Sequence, residues 1–228
     1  MAPPGAPATY VPAAASAGML DAERRAVADE LDRLAALTPG RTGNLSARRG
    51  DRFAVTPSGV PYHRTGAEDI PVVDLEGERL AGEFDPSSET PLHGALYDRL
   101  GVGAVAHTHS PWATTLAVLG EPVRPVHYML ALAGGEVPVA DYATYGTATL
   151  AATAVDTMAA ADSRACLLAN HGLVATGPDA AAAVETAEAV EAVAQLDCQA
   201  RALGGADPLP EAELDRVADR LEAYGQDG

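Results

Sequence analysis

The sequence contains no lysine: all 15 of its basic residues are arginine, set against 32 acidic residues for a formal net charge of -17. That absence removes enzymes that form a lysine imine with a carbonyl substrate or with pyridoxal phosphate. It also removes the phosphate-loop nucleotide motif, whose lysine reaches the terminal phosphates. So acidic a chain is a poor partner for nucleic acid or an anionic membrane, both of which demand dense positive charge. Any anion must be held by local geometry. Aromatic residues are scarce, at 4%, and the abundant alanines suit helices that approach closely. The two cysteines, Cys166 and Cys198, lie far apart and form no metal-type pair, which reads as a reduced, cytoplasmic protein. No run approaches the roughly 18 uninterrupted apolar residues of a membrane span. Met1 to Gly18 is broken by prolines and lacks a basic n-region, so it reads as a disordered arm rather than a signal peptide.

What remains, residues 19–228, reads as one domain with no internal repeat and no linker, long enough to bury about 70% of its unfolded surface. Apolar spacing predicts a helix from Met19 to Leu37. A hairpin follows, Asn44 to Arg49 and Arg52 to Val55, around Gly50-Asp51, and then a strand from Ile70 to Leu75. Thr90-Pro91 reads as an N-cap followed by proline at the first helical position, opening a helix to Leu100. Val102 to His107 is a buried strand, and Ser110-Pro111 opens a helix to Leu119. A helix at Thr147 to Ala160, strands at Ala165 to Ala169 and Leu173 to Ala175, and helices from Asp179 to Leu203 and from Pro210 to Tyr224 complete the chain. Interleaved strands and helices predict a single α/β domain with a central, mostly antiparallel or mixed sheet flanked by helices.

The strongest chemical signal is Ala106-His107-Thr108-His109-Ser110. Alternate residues of a strand project to one face, so this pair aims two imidazoles at one spot, as zinc binding requires. A third candidate is His171 in Asn170-His171-Gly172, again where an apolar strand ends. A lone histidine at such a place is more often a hydrogen-bonded structural residue. Three histidines with an open position match a catalytic zinc site. Ser87-Ser88-Glu89 precedes the helix at Thr90, where hydroxyls and backbone N–H groups can hold a phosphate without lysine and Glu89 is a candidate base. Gly43-Asn44-Leu45-Ser46 and Thr56-Pro57-Ser58-Gly59 offer a second anion cradle on adjoining strands. Each of these stretches alone reads as an ordinary cap or turn.

Together and in this order, Gly43-Asn44-Leu45-Ser46-Ala47-Arg48, Thr56-Pro57-Ser58-Gly59, Ser87-Ser88-Glu89, the His107-Thr108-His109 segment and Asn170-His171-Gly172 resemble the class II aldolase/adducin family. The resemblance covers about residues 20 to 204. Val126-His127-Tyr128-Met129 and Asp141 to Gly146 are most similar to its L-fuculose-1-phosphate aldolase branch. It implies one Zn2+ per subunit held by His107, His109 and His171, with Glu89 alternating between fourth ligand and general base. It implies a substrate phosphate held by Gly43, Asn44, Ser58, Gly59, Ser87 and Ser88. It implies Tyr128 as a proton donor reaching a neighbouring subunit's site, hence a homotetramer, and a mobile tail carrying Tyr224. The expected reaction is cleavage of L-fuculose 1-phosphate or a related deoxyketose 1-phosphate to dihydroxyacetone phosphate and a short aldehyde such as L-lactaldehyde.

Three rivals share the scaffold. A 4-epimerase of the L-ribulose-5-phosphate type carries aspartate where Glu89 stands and a Gly-Thr-Thr-His segment that this chain lacks. A methylthioribulose-phosphate dehydratase is the second. A non-catalytic adducin-like scaffold is the third, and it has no need of the three histidines and Glu89. His93, four residues after Glu89, reads as a structural or supporting residue rather than a ligand, and Arg48 and Arg41 as exposed ion-pairing residues.

Overall fold

The computed structural model describes residues 18–40 and 42–222. Residues 1–17 of the expected arm, Arg41 and Tyr224 lie outside the described residues. Two short helices open the described chain, α1 (Asp21–Asp29) and α2 (Leu31–Leu37), where the sequence predicts one. The helix turns at Glu30, and Arg33 then bridges Glu30 to Glu188. Leu31 and Leu34 are buried in the core below.

The strands form one sheet. They are β1 (Asn44–Arg49), β2 (Arg52–Val55), β3 (Val72–Asp74), β4 (Arg79–Ala81), β5 (Ala104–Thr108), β6 (Val139–Ala140), β7 (Ala165–Leu168) and β8 (Gly172–Gly177). Their order is β4-β3-β2-β1-β5-β8-β7-β6. Every neighbouring pair is antiparallel except β6 with β7, which is parallel. This is the mixed α/β sheet that the interleaved pattern predicts. The strands β4 and β6 were not expected, because three and two residues are too few to show a period. Pairing makes them strands: β6 is fixed to β7 by Leu167 N–H to Pro138 O at 2.8 Å and Ala169 N–H to Ala140 O at 3.0 Å.

Five further helices are α3 (Thr90–Leu100), α4 (Pro111–Leu119), α5 (Ala148–Ala161), α6 (Ala180–Ala202) and α7 (Glu211–Glu222). Strand alternation divides the core into two layers. Leu45, Ala47, Ala104, Ala106, Leu173 and Ala175 meet α1, α2, α4 and α6 on one face. Phe53, Val55, Val105, Cys166 and Val174 meet α3 and α5 on the other. Alanines matter in the first layer, where Ala183, Ala187 and Ala194 of α6 are buried. At Gly177 a Cβ would stand 2.6 Å from the Ala183 nitrogen, so only glycine admits the start of α6 here.

The cap of α3 differs from expectation. Thr90 is already helical, and Glu89 is the N-cap without a side-chain cap bond; ahead of it Ser87 Oγ accepts from the Glu89 N–H at 3.3 Å, and Thr90 Oγ1 donates to the Ser87 carbonyl at 2.6 Å. The proline at the first turn commits no missing donor. Thr147 and Asp179 cap α5 and α6 through Leu150 N–H and Ala182 N–H. Among the described residues no helix is long and apolar enough to cross a membrane.

Candidate active site

β5 and β8 lie side by side with His107 opposite Val174 and Thr108 opposite Leu173. His107 is therefore on the strand, His109 is one step past its end, and His171 sits in the turn that leads into β8. The turn is built by Asn170, at φ 55°, and by Gly172. Asparagine tolerates the left-handed region better than most residues, and at Gly172 a Cβ would meet the Thr108 carbonyl oxygen at 2.4 Å. Gly43 answers from the other side of β5: φ is 87°, and a Cβ there would lie 2.5 Å from the His107 carbonyl oxygen.

These approaches bring the three imidazoles together, with ring centroids 4.8 to 5.0 Å apart. Their ligating atoms all lie within 4.8 Å of one another. His107 is fully buried and its Nδ1–H donates to the Leu173 carbonyl at 2.8 Å, which leaves the Nε2 lone pair facing inward. His107 Nε2 and His109 Nε2 stand 3.1 Å apart. Burial, and then the neighbouring His107 and His171, push His109 down to about 4. Burial likewise lowers His171. Neutral imidazoles have lone pairs to offer, so the donor set fits a metal.

Glu89, at the mouth of α3, completes the cluster. Its Oε2 lies 3.0 Å from His107 Nε2 and its Oε1 3.4 Å from His171 Nε2. Oε1 is buried without a hydrogen-bond partner, an acceptor left for a cation or a proton. Burial raises the Glu89 carboxyl, while His107 and His171, when protonated in the metal-free site, and the Asn44 amide outweigh it and hold the carboxyl below the usual carboxylate range.

Asn44 Nδ2 donates to Glu89 Oε2 at 2.9 Å. Its Oδ1 meets Nε2 of His93, which is wholly buried on α3. His93 Nδ1 meets Ser46 Oγ at 2.5 Å, and Ser46 Oγ meets Tyr97 Oη at 2.5 Å. Burial, the largest influence, pushes His93 down to about 3. Residues Asn44 and Ser46 alternate on β1, while Glu89 just before α3 and His93 and Tyr97 on it repeat every four positions, so a strand face meets a helix stripe. Sequence reasoning placed His93 as a supporting residue and missed the partners. The i, i+2 polar alternation against the i, i+4, i+8 stripe is the signal that finds them.

A cavity of about 370 Å³ opens above this cluster, reaching Glu89, His109 and His171. Gly43, Asn44, Ser58, Gly59, Ser87 and Ser88 all line it. Two loops are tied together there, Ser58 N–H to Asp85 O at 2.9 Å and Ser87 N–H to Thr56 O at 3.2 Å. No arginine among the described residues lines the cavity. Arg48 turns away, donating to the Tyr97 carbonyl at 2.6 Å and lying over its ring. Tyr62, Tyr142 and Tyr145 also line the cavity and were not anticipated as site residues. Tyr128 does not line this cavity: it stands half exposed on the short 3-10 helix Tyr128–Ala133.

The family model for the Class II Aldolase and Adducin N-terminal domain matches residues 23–198. The chain belongs to the class II aldolase/adducin family. As a class II aldolase it is a metal-dependent aldehyde-lyase. It is 42% identical over 193 residues to a 5-deoxy-D-ribulose 1-phosphate aldolase of Bacillus thuringiensis serovar kurstaki, covering 83% of this chain and 90% of the relative. It is 40% identical over 210 residues to a 5-methylthioribulose-1-phosphate/5-deoxyribulose-1-phosphate aldolase of Rhodospirillum rubrum, covering 91% of each. A solved structure of an L-fuculose 1-phosphate aldolase superposes with a TM-score of 0.83 at 37% identity, covering 88% of this chain and 96% of that one. The aldolase reading of the sequence stands, while relatives acting on deoxypentulose phosphates come ahead of the fuculose branch.

Proposed function

We propose that this class II aldolase is a zinc enzyme cleaving a 5-deoxypentulose 1-phosphate, of the 5-deoxyribulose type, to dihydroxyacetone phosphate and a short aldehyde. The observation that carries the reading is the convergence of His107, His109, His171 and Glu89 beneath a cavity lined by serines, glycines and an asparagine. The greater likeness to deoxyribulose-phosphate relatives than to the fuculose structure supports the pentulose. L-Fuculose 1-phosphate is the second reading, supported by the fold match.

His107, His109 and His171 would hold the metal, with Glu89 as a fourth ligand that substrate displaces; three nitrogens and a carboxylate suit zinc. Zinc would supply Lewis acidity toward the ketone oxygen. Gly43, Asn44, Ser58, Gly59, Ser87 and Ser88 would hold the phosphate through N–H and O–H donors, Asn44 using the amide hydrogen it does not give to Glu89. In cleavage the bond between carbons 3 and 4 breaks, its electron pair moves toward the carbonyl, and the hydroxyl on carbon 4 loses its proton as the aldehyde forms. Glu89 then returns a proton to carbon 3. Tyr128 lies outside its own cavity, and we assign it to a neighbouring subunit's site as the acid or base at the aldehyde oxygen, in a homotetramer. The cytoplasm is the inferred setting: both cysteines are free and the substrate is a phosphorylated sugar.

The test is a panel of ketose 1-phosphates and 5-phosphates assayed for dihydroxyacetone phosphate release. Release from 5-deoxyribulose 1-phosphate, lost on chelation and restored by Zn2+, is expected, with no adduct trapped by borohydride. Trapping, or epimerisation of a 5-phosphate without cleavage, would sink the proposal.

A further inference from the structure

We propose that His93 is a positioning residue: in its Nε2–H tautomer it fixes the Asn44 amide so that the NH2 end faces Glu89, holding the carboxylate in its working orientation. The inference rests on Glu89 being the base. Asn44 has one donor end and one acceptor end, and both are occupied, one by Glu89 Oε2 and the other by His93 Nε2. A flipped amide would set its oxygen against an ionised carboxylate. What prevents the flip is the hydrogen on His93 Nε2, which needs the amide oxygen as acceptor.

That hydrogen is in turn fixed from behind. A neutral imidazole carries one N–H, and burial keeps His93 neutral. With Nε2 protonated, Nδ1 accepts from the Ser46 hydroxyl, and Ser46 Oγ accepts from the Tyr97 hydroxyl. The chain therefore runs in one direction, Tyr97 to Ser46 to His93 to Asn44 to Glu89, with each donor matched to one acceptor. Tyr97, Ser46 and His93 are wholly buried, so no water competes along that stretch, and a mismatch at one of its links would strand a buried polar group. Two α3 residues and two β1 residues thus orient a side chain at the helix mouth.

Two substitutions separate the ends of the ring. Gln reaches where Nε2 reaches, so His93→Gln keeps a donor to Asn44; Asn matches only the Nδ1 end, so His93→Asn keeps the contact to Ser46 and leaves the Asn44 oxygen without its donor. The expected result is kcat within about fivefold of wild type for His93→Gln and lower by about 10- to 100-fold for His93→Asn. Bound zinc should stay within about twofold in both, and KM within about twofold for His93→Gln, whereas in His93→Asn the freed Asn44 amide also loosens the phosphate and KM rises along with the loss in kcat. In an Asn44→Ala background, adding His93→Asn should cost less than about twofold, because the two act as one unit. Equal kcat for the Gln and Asn variants, a loss confined to KM or zinc content, or full additivity with Asn44→Ala would each overturn the proposal.

Nitrogen-15 NMR of histidine-labelled wild-type protein decides the tautomer directly. An Nε2–H His93 supports the relay, and an Nδ1–H or doubly protonated ring refutes it, whether or not His93→Asn folds. Should the protein cleave no ketose phosphate, the aldolase reading fails while this spectrum still judges the relay.

Discussion

Replacing Gly172 with alanine tests how closely the metal cluster depends on backbone approach. The added Cβ would stand 2.4 Å from the Thr108 carbonyl oxygen and 3.1 Å from His109 Cδ2. A carbon rests against a carbonyl oxygen at about 3.3 Å or more, so β5 and the His171 turn must separate by about 0.9 Å. Metal–ligand distances tolerate about 0.2 Å, and the shift falls between His171 and the His107/His109 pair. Overpacking of this kind costs about 1–3 kcal/mol, and for a chain of this length each kcal/mol lowers Tm by about 2–4 °C. Gly172→Ala should therefore melt about 2–12 °C below wild type and bind zinc at least about tenfold more weakly, with turnover lost in proportion to zinc. Competition with a chelating dye gives the affinity and metal analysis the occupancy. A variant that binds zinc with wild-type affinity would refute the claim that Gly172 is needed for convergence of the three histidines.

Glu89→Gln should keep stoichiometric zinc, since three imidazoles remain, yet lose at least about 100-fold in kcat, in keeping with the usual contribution of a general base; a fully active variant would remove Glu89 from that role. The metal-free protein should lose stability in acid. Burial pushes His93 down to about 3 and His109 down to about 4 in the folded chain, against about 6.5 unfolded, so below pH 6.5 the unfolded chain binds protons that the folded one excludes. Stability from these groups is complete above pH 6.5 and falls by up to about 1.4 kcal/mol per pH unit for His93 as pH drops toward 4, less for the more accessible His109. Urea unfolding at pH 7, 6 and 5 checks this, and no loss between 6.5 and 5 would contradict it. Asp197 is fully buried and accepts from the guanidinium groups of Arg124 and Arg201 and from the Arg124 N–H at 3.2 Å. Asp197→Ala should cost about 2–4 kcal/mol, discounted from the cost of a fully buried broken pair because both arginines are partly solvated. Thermal melting reads the loss, and a Tm within 2 °C of wild type would argue against it.

The local rules were legible in the chain. Gly50-Asp51 marked the hairpin at the ends the structure gives it, and the apolar runs before His107 and His171 marked β5 and β7. The alternation of His107 and His109 and the order of the five motifs pointed to the cluster. Less legible were β4 and β6, too short to carry a period, and the break at Glu30, where helical spacing continues through the turn. The partnership of His93 with Asn44 was hidden because each belongs to a different element, and their pairing depends on α3 crossing β1.

By itself the sequence determined the chemistry available to this protein. Without lysine, electrophilic help for carbon–carbon cleavage had to come from a metal or an added cofactor, and the histidines that could hold a metal stand at strand ends because a two-residue period aims them together. Which groups meet was decided only by the tertiary structure. Antiparallel pairing of β1, β5 and β8 brought Gly43, His107 and Gly172 to one place, and packing of α3 on β1 made one buried chain of hydrogen bonds from Tyr97 to Glu89. The physical reason is distance: composition and periodicity act over a few residues, whereas these contacts join positions about 45 to 65 apart in the chain and depend on the fold that packs them together.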